Sequence, residues 1–137
     1  MAANVKVKIY TEKVNKAVDD IATKRMHQAV NVLRNQTLET LSGNRSGRTY
    51  KVPGTNRTYK ASSPGEPPAQ ATAELRQSIK GTVNSKGSKI TGTVGTDLDY
   101  GLWLERGTPD MEARPWLRIS LDKSLAKLRR IFTGQWL

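Results

Sequence analysis

From Thr11 to Leu41 the chain runs for roughly thirty residues without a glycine or a proline. Within that stretch Val14, Val18, Ile21, Ala22, Met26, Ala29, Val30, Leu33, Thr37, Leu38 and Leu41 recur every three or four positions, which gathers them on one face of a helix. Thr11 offers a hydroxyl N-cap and Glu12 an acidic first turn, while Gly43 and Asn44 supply the stop. At 1.5 Å per residue such a helix approaches roughly 45 Å. That is long for a chain of 137 residues. The rest of the domain must cover this helix, and part of it is expected to lean on a second subunit.

The remaining elements are short. Val5, Val7 and Ile9 alternate with Lys6 and Lys8, the period of a strand with one buried face. Ile79, Gly81 and Val83, then Ile90, Gly92 and Val94, flank Ser85-Lys86-Gly87-Ser88 as an antiparallel hairpin. Thr72 caps a helical turn from Ala73 to about Ser78. Tyr100 to Glu105 reads as a short helix or strand that Gly107 ends. Pro115 suits the first turn of a last helix striped by Leu117, Leu121, Leu125, Leu128 and Phe132. The order β-α-loop-α-β-β-α-α predicts an α+β fold. A small antiparallel β-sheet packs against one long N-terminal helix and a C-terminal amphipathic helix, with a long Pro/Gly-rich basic loop. Residues 1–137 form a single domain.

The loop, at about 42–70, is the least globular stretch. Arg48-Thr49-Tyr50-Lys51 recurs as Arg57-Thr58-Tyr59-Lys60 around Pro53-Gly54-Thr55-Asn56, which reads as a basic β-hairpin or extended loop. Ser62-Ser63-Pro64-Gly65-Glu66-Pro67-Pro68-Ala69 follows, and its prolines favour a stiff, extended arm.

Composition narrows the function. The chain has no cysteine, hence no disulfide, thiolate metal site or cysteine nucleophile. No apolar run approaches the roughly 20 residues that span a bilayer, and Met1 to Lys6 lacks the apolar core of a signal peptide. A soluble, intracellularly made protein is expected. Lysine and arginine outnumber acids 23 to 12, a net +11 that attracts polyanions. The charge is segregated. Residues 42–60 hold Arg45, Arg48, Lys51, Arg57 and Lys60 with no acid; 97–112 hold five acids against Arg106; 113–130 hold six cations against Asp122. Such blocks suit pairing between copies, although a run of charge is ordinarily a solvated face. The cations interleaved with Tyr50 and Tyr59 also suit phosphates and stacked bases, with no helix-turn-helix, zinc finger or RNP-type motif beside them.

No enzyme constellation emerges. His27 stands alone in the long helix, with Asp19 and Asp20 two turns away. Neither Asp97 with Asp99 nor Asp110 with Glu112 has a histidine or calcium-loop spacing. Gly81 and Gly87 do not build a phosphate loop. The chain is expected to be non-enzymatic, with no cofactor and no metal.

Three segments in order carry a resemblance. They are Ser63-Pro64-Gly65-Glu66-Pro67-Pro68-Ala69 with Thr72-Ala73-Glu74-Leu75-Arg76-Gln77-Ser78-Ile79; Asp99-Tyr100-Gly101-Leu102-Trp103-Leu104-Glu105-Arg106-Gly107-Thr108; and Met111-Glu112-Ala113-Arg114-Pro115-Trp116-Leu117-Arg118. Together they resemble the gene-product-ten-like neck and tail-component family of long-tailed bacteriophages over roughly residues 60–121. The departures are Ala73 for a usual Gly, Glu112 for a common Pro and Arg106 for a usual aromatic.

The resemblance implies a non-enzymatic virion protein made in the host bacterial cytoplasm. It would form a homo-oligomeric ring in the neck, between the head connector or head-closure ring and the tail terminator or tube. DNA would pass through its channel without sequence-specific contact, and no membrane is involved. Head-to-tail contacts close into such rings. On that reading the subunit-interface candidates are Tyr100, Trp103, Glu105, Asp110, Arg114, Trp116 and Arg118. The acidic 97–112 block would face a basic block of the neighbour, and the aromatics would serve as anchors. Either tryptophan is equally at home in an ordinary core. Pro64, Glu66, Pro67 and Pro68 would form an arm docking on an adjacent subunit or ring. Arg45, Arg48, Lys51, Arg57 and Lys60 would touch a neighbouring ring in preference to DNA. The alternative is a small basic nucleic-acid-binding protein that uses the 42–60 loop.

Overall fold

Strand β1 (Ala3–Tyr10) runs antiparallel to β5 (Lys89–Thr96), and β5 pairs on its other side with β4 (Lys80–Lys86). The computed structural model describes residues 3–10, 16–43, 45–52, 54–69, 74–87 and 89–134. Helix α1 (Lys16–Thr40) lies across one face of this sheet. The ribbon β2 (Thr49–Lys51) with β3 (Thr58–Lys60) follows, then α2 (Glu74–Gln77), β4, β5, α3 (Asp99–Arg106) and α4 (Leu117–Thr133). The architecture is α+β.

Register and alternation decide which side of the sheet is core. On the central strand Val94 pairs with Val5 on one side and Gly81 on the other, Gly92 pairs with Val7 and Val83, and Ile90 pairs with Ile9. This row meets Met26, Val30 and Leu33 of α1 in the apolar core. Two glycines set how close the helix comes. A Cβ on Gly92 would sit 2.5 Å from the Met26 sulfur and 2.7 Å from Val30 Cγ2; one on Gly81 would sit 2.7 Å from Val30 Cγ1. The absent side chains are the space that α1 occupies.

Helix α4 packs along α1 and runs antiparallel to it. Leu128 shares a small apolar cleft with Ala29 and Leu33, and Arg25 donates to the Gly134 carbonyl at 3.1 Å. Its buried face is Leu117, Ser120, Ser124 and Leu128, so two small side chains sit between two leucines along that face. Leu125, placed in the stripe by sequence, is exposed. The buried face is rotated toward Ser120 and Ser124, which leaves Leu125 at the outer edge of its own stripe.

Several boundaries differ from expectation. Helix α1 is described from Lys16, so the expected start at Thr11–Val14 lies outside the described residues, as do Asn44, Thr72 and Ala73. Pro115 is not in the first turn of α4 but two residues ahead of it. Tyr100 to Glu105, compatible with either helix or strand in sequence, lies within helix α3.

Candidate functional site

Two of the three segments that carry the sequence resemblance, 99–108 and 111–118, meet around one carboxylate. Glu105, at the end of α3, accepts the backbone N–H groups of Trp116 (2.8 Å), Leu117 (2.7 Å) and Arg118 (3.0 Å). These are N–H groups at the start of α4 that no carbonyl within the helix can take. A carboxylate there gains both charge-assisted hydrogen bonds and a favourable position against the helix dipole. Gly107 makes the geometry possible. At φ +79° it ends α3, donates to the Trp103 carbonyl at 2.7 Å, and leaves no room for a Cβ, which would sit 2.9 Å from Ala113 N. The chain then turns through Thr108–Met111, and Arg114 N returns to the Leu104 carbonyl at 2.6 Å. The Trp116 indole N–H closes the clamp on the Gly101 carbonyl at 2.9 Å.

The clamp corrects two expectations. Trp116 is fully buried, so it anchors the fold and offers no surface to another subunit. Glu105 is spent on its own chain and is not a free charge for a neighbour. Tyr100 is half-buried beside the core, and its phenol is pushed up by burial and by the Glu74 charge. Arg114 donates to Ser62 Oγ at 3.0 Å and to the Glu112 carbonyl at 2.9 Å, so it too works within the chain. Trp103, Asp110 and Arg118 are exposed, Trp103 at 54%.

The proline segment is a second correction. It is not an arm reaching outward but a strap folded onto its own body. Gly65 N donates to the Ala113 carbonyl at 3.1 Å. The Glu66 carboxylate accepts Ser63 N (2.6 Å), Ser46 N (3.2 Å) and Ser46 Oγ (2.8 Å). The Ser63 and Ser46 hydrogen bonds hold its pKa at about 2. Arg45 donates to the carbonyls of Pro67 (2.8 Å), Pro68 (3.2 Å) and Thr40 (2.8 Å), and burial pulls its pKa down. Pro68 is buried, Pro67 half-buried, and only Pro64 of the three is exposed.

Arg45 therefore leaves the set of outward-facing cations, because it ties the end of α1 to the strap. Arg48, Lys51, Arg57 and Lys60 remain exposed on the ribbon, where the Tyr50 and Tyr59 rings lie across from each other at 6.0 Å. Asp97 pairs with Lys80 at 3.1 Å, an exposed contact worth about 0–1 kcal/mol.

An open recess of about 390 Å³ lies between β1 (Ala3, Asn4, Val5), α3 (Leu102, Glu105, Arg106) and α4 (Leu117, Arg118, Leu121); Trp103 is exposed on the same helix α3 but does not line it. Among the described residues no group of His, Cys, Asp and Glu is placed to hold a metal ion, and no helix is long and apolar enough to cross a membrane. His27 is exposed on α1.

Sequence reasoning did not anticipate the Glu105 cap, since eleven residues separate Glu105 from Trp116 and no local spacing links them. It also did not anticipate the outer face of the sheet, although the Lys6, Lys8 alternation signalled it. Comparison of the chain with protein-family models, with curated proteins and with solved structures finds no match.

Proposed function

We propose that the chain is a structural subunit of the neck of a long-tailed bacteriophage, assembling into a ring that joins the head connector to the tail around the DNA channel. The observation that carries the reading is Trp103. The fold buries Trp116 completely yet leaves Trp103 more than half exposed on α3, the helix that also lines an open recess with β1 and α4. Exposed large aromatics are common anchors of protein–protein contacts. A surface and a recess on one subunit suit a heterologous contact, which closes into a ring when the rotation permits. Exposed Asp110, on the turn after α3, and Arg118, which lines the recess, would set register.

The Glu105 clamp supports the same reading. It explains why Tyr100 to Thr108 and Ala113 to Arg118 occur together: they form one rigid corner that presents Trp103. The partners on this reading are copies of the chain, neighbouring neck and tail proteins, and DNA passing through without sequence-specific contact. The location is the virion.

The test is the mass and shape of the purified protein by light scattering and negative-stain imaging at low and moderate salt. Rings with a central hole are expected, and Trp103→Ala should dissociate them. A monomer at every concentration and salt overturns self-assembly as a property of the isolated chain. The exposed ribbon with Arg48, Lys51, Arg57, Lys60 and Tyr50 favours a second reading, a small basic nucleic-acid-binding protein. A monomer that binds nucleic acid through that ribbon would establish it.

A further inference from the structure

The three strands of the main sheet contain five lysines and no carboxylate. Register places all five on the face turned away from α1. The outward cross-strand rows are Asn4–Gly95–Lys80, Lys6–Thr93–Thr82, Lys8–Thr91–Asn84 and Tyr10–Lys89–Lys86. Every row carries a lysine, and successive rows are roughly 7 Å apart along strands spaced roughly 5 Å from each other. All five lysines are exposed, as are Asn4, Thr82 and Asn84, and Tyr10 is 66% exposed. Lys80 has Asp97; among the described residues Lys6, Lys8, Lys86 and Lys89 face no carboxylate. Lys86 and Lys89 stand directly opposite each other, an arrangement that repels unless an anion lies over it.

We infer that this open sheet face binds the phosphate backbone of duplex nucleic acid. The chemistry of the face selects the occupant. Protein interfaces are depleted in lysine and need a desolvated apolar centre, whereas the centre here is threonine. A membrane surface calls for apolar side chains to insert, and none projects from this face beyond Tyr10 at its end. Single strands are held by aromatic platforms along the groove, and again only Tyr10 is present. A flat field of mobile ammonium groups with hydroxyl and amide donors between them suits phosphates bound by counterion release, without reading bases. Such contacts let DNA slide. The inference does not rest on the neck reading, since a monomer suffices for it; within a ring it would identify the face turned to the channel.

The test is fluorescence anisotropy with a labelled 20-bp duplex between 50 and 200 mM salt, with oligomeric state followed in parallel by light scattering. Engagement of about four lysines predicts a slope of log K against log salt near −4 and a loss of roughly a hundredfold over that range. The Lys6→Glu/Lys8→Glu/Lys89→Glu variant should bind more than tenfold more weakly at 50 mM, with the slope reduced to about −1. The ribbon variant Arg48→Glu/Arg57→Glu/Lys60→Glu should stay within about threefold of wild type. The corresponding Lys→Gln triple variant gives the same ordering should charge reversal disturb folding. A sheet variant that binds like wild type overturns the inference, as does a ribbon variant that loses as much. Polyglutamate that displaces the duplex equally well at matched charge overturns the assignment to nucleic acid. A sheet variant that still forms rings separates DNA binding from assembly.

Discussion

The Glu105 carboxylate accepts the Leu117 N–H at 2.7 Å, across twelve positions of chain, and in doing so starts helix α4. Glu105→Ala leaves three N–H groups at the start of α4 without their carboxylate. A cost of about 2 kcal/mol is expected, with about half of that for Glu105→Gln, which keeps one acceptor oxygen. Urea denaturation followed by circular dichroism measures both. Charge reversal at Glu105 would therefore disturb the fold as well as any subunit contact. Asp110→Lys, at an exposed position, tests charge pairing between subunits alone; it should weaken assembly in low salt while leaving the urea midpoint unchanged.

The two tryptophans of the clamp region should separate cleanly. Trp116→Ala empties a fully buried site and breaks the bond to Gly101, a loss of about 4 kcal/mol that leaves little folded protein. Trp103→Ala should change stability by no more than about 0.5 kcal/mol while lowering the association constant at least tenfold. Thermal melts and sedimentation on the same two variants decide the matter.

Glu66 makes the strap sensitive to acid. Its pKa is about 2 in the folded chain, below the ordinary carboxylate value. A depressed carboxylate adds stability that is fully present above the unfolded pKa and disappears as pH falls toward the folded one. Wild type should thus lose stability between about pH 5 and pH 2 more steeply than Glu66→Gln, and the two denaturation midpoints should converge at the acid end. Parallel curves for the two proteins across that range would show that Glu66 does not hold the strap.

Gly92→Ala tests the seat of α1 on the sheet. Its Cβ would enter space held by Met26 and Val30, and both are buried. Overpacking of about 1–3 kcal/mol is expected. Met26→Ala in the same chain should recover part of that loss relative to the sum of the two single changes, since the two side chains compete for one volume. A double variant that is merely additive would place the clash elsewhere.

Much of the fold was legible because its signals are local. The period-two runs of Val5 to Ile9 and of Ile79 to Val94 became β1, β4 and β5, and the unbroken run of apolar spacing became α1. The paired Thr-Tyr segments became the ribbon β2–β3. The errors arose where one side chain serves a distant backbone. Arg45 looked like a free cation but caps α1 and holds Pro67 and Pro68. The prolines looked like a stiff arm because their rigidity is local, whereas their direction is set by Arg45, Glu66 and Ala113. Leu125 matched the stripe in spacing yet is exposed, because Ser120 and Ser124 occupy the buried positions between the helices.

The sequence by itself determined most of the element types, the segregation of charge and the absence of thiol chemistry, since each follows from neighbours along the chain or from composition. Tertiary structure alone decided which of two similar tryptophans is core and which is surface. It also decided which cations are spent inside the fold and that five lysines from three strands share one open face. Those outcomes depend on strand register and on long-range hydrogen bonds, which join residues that no local spacing relates.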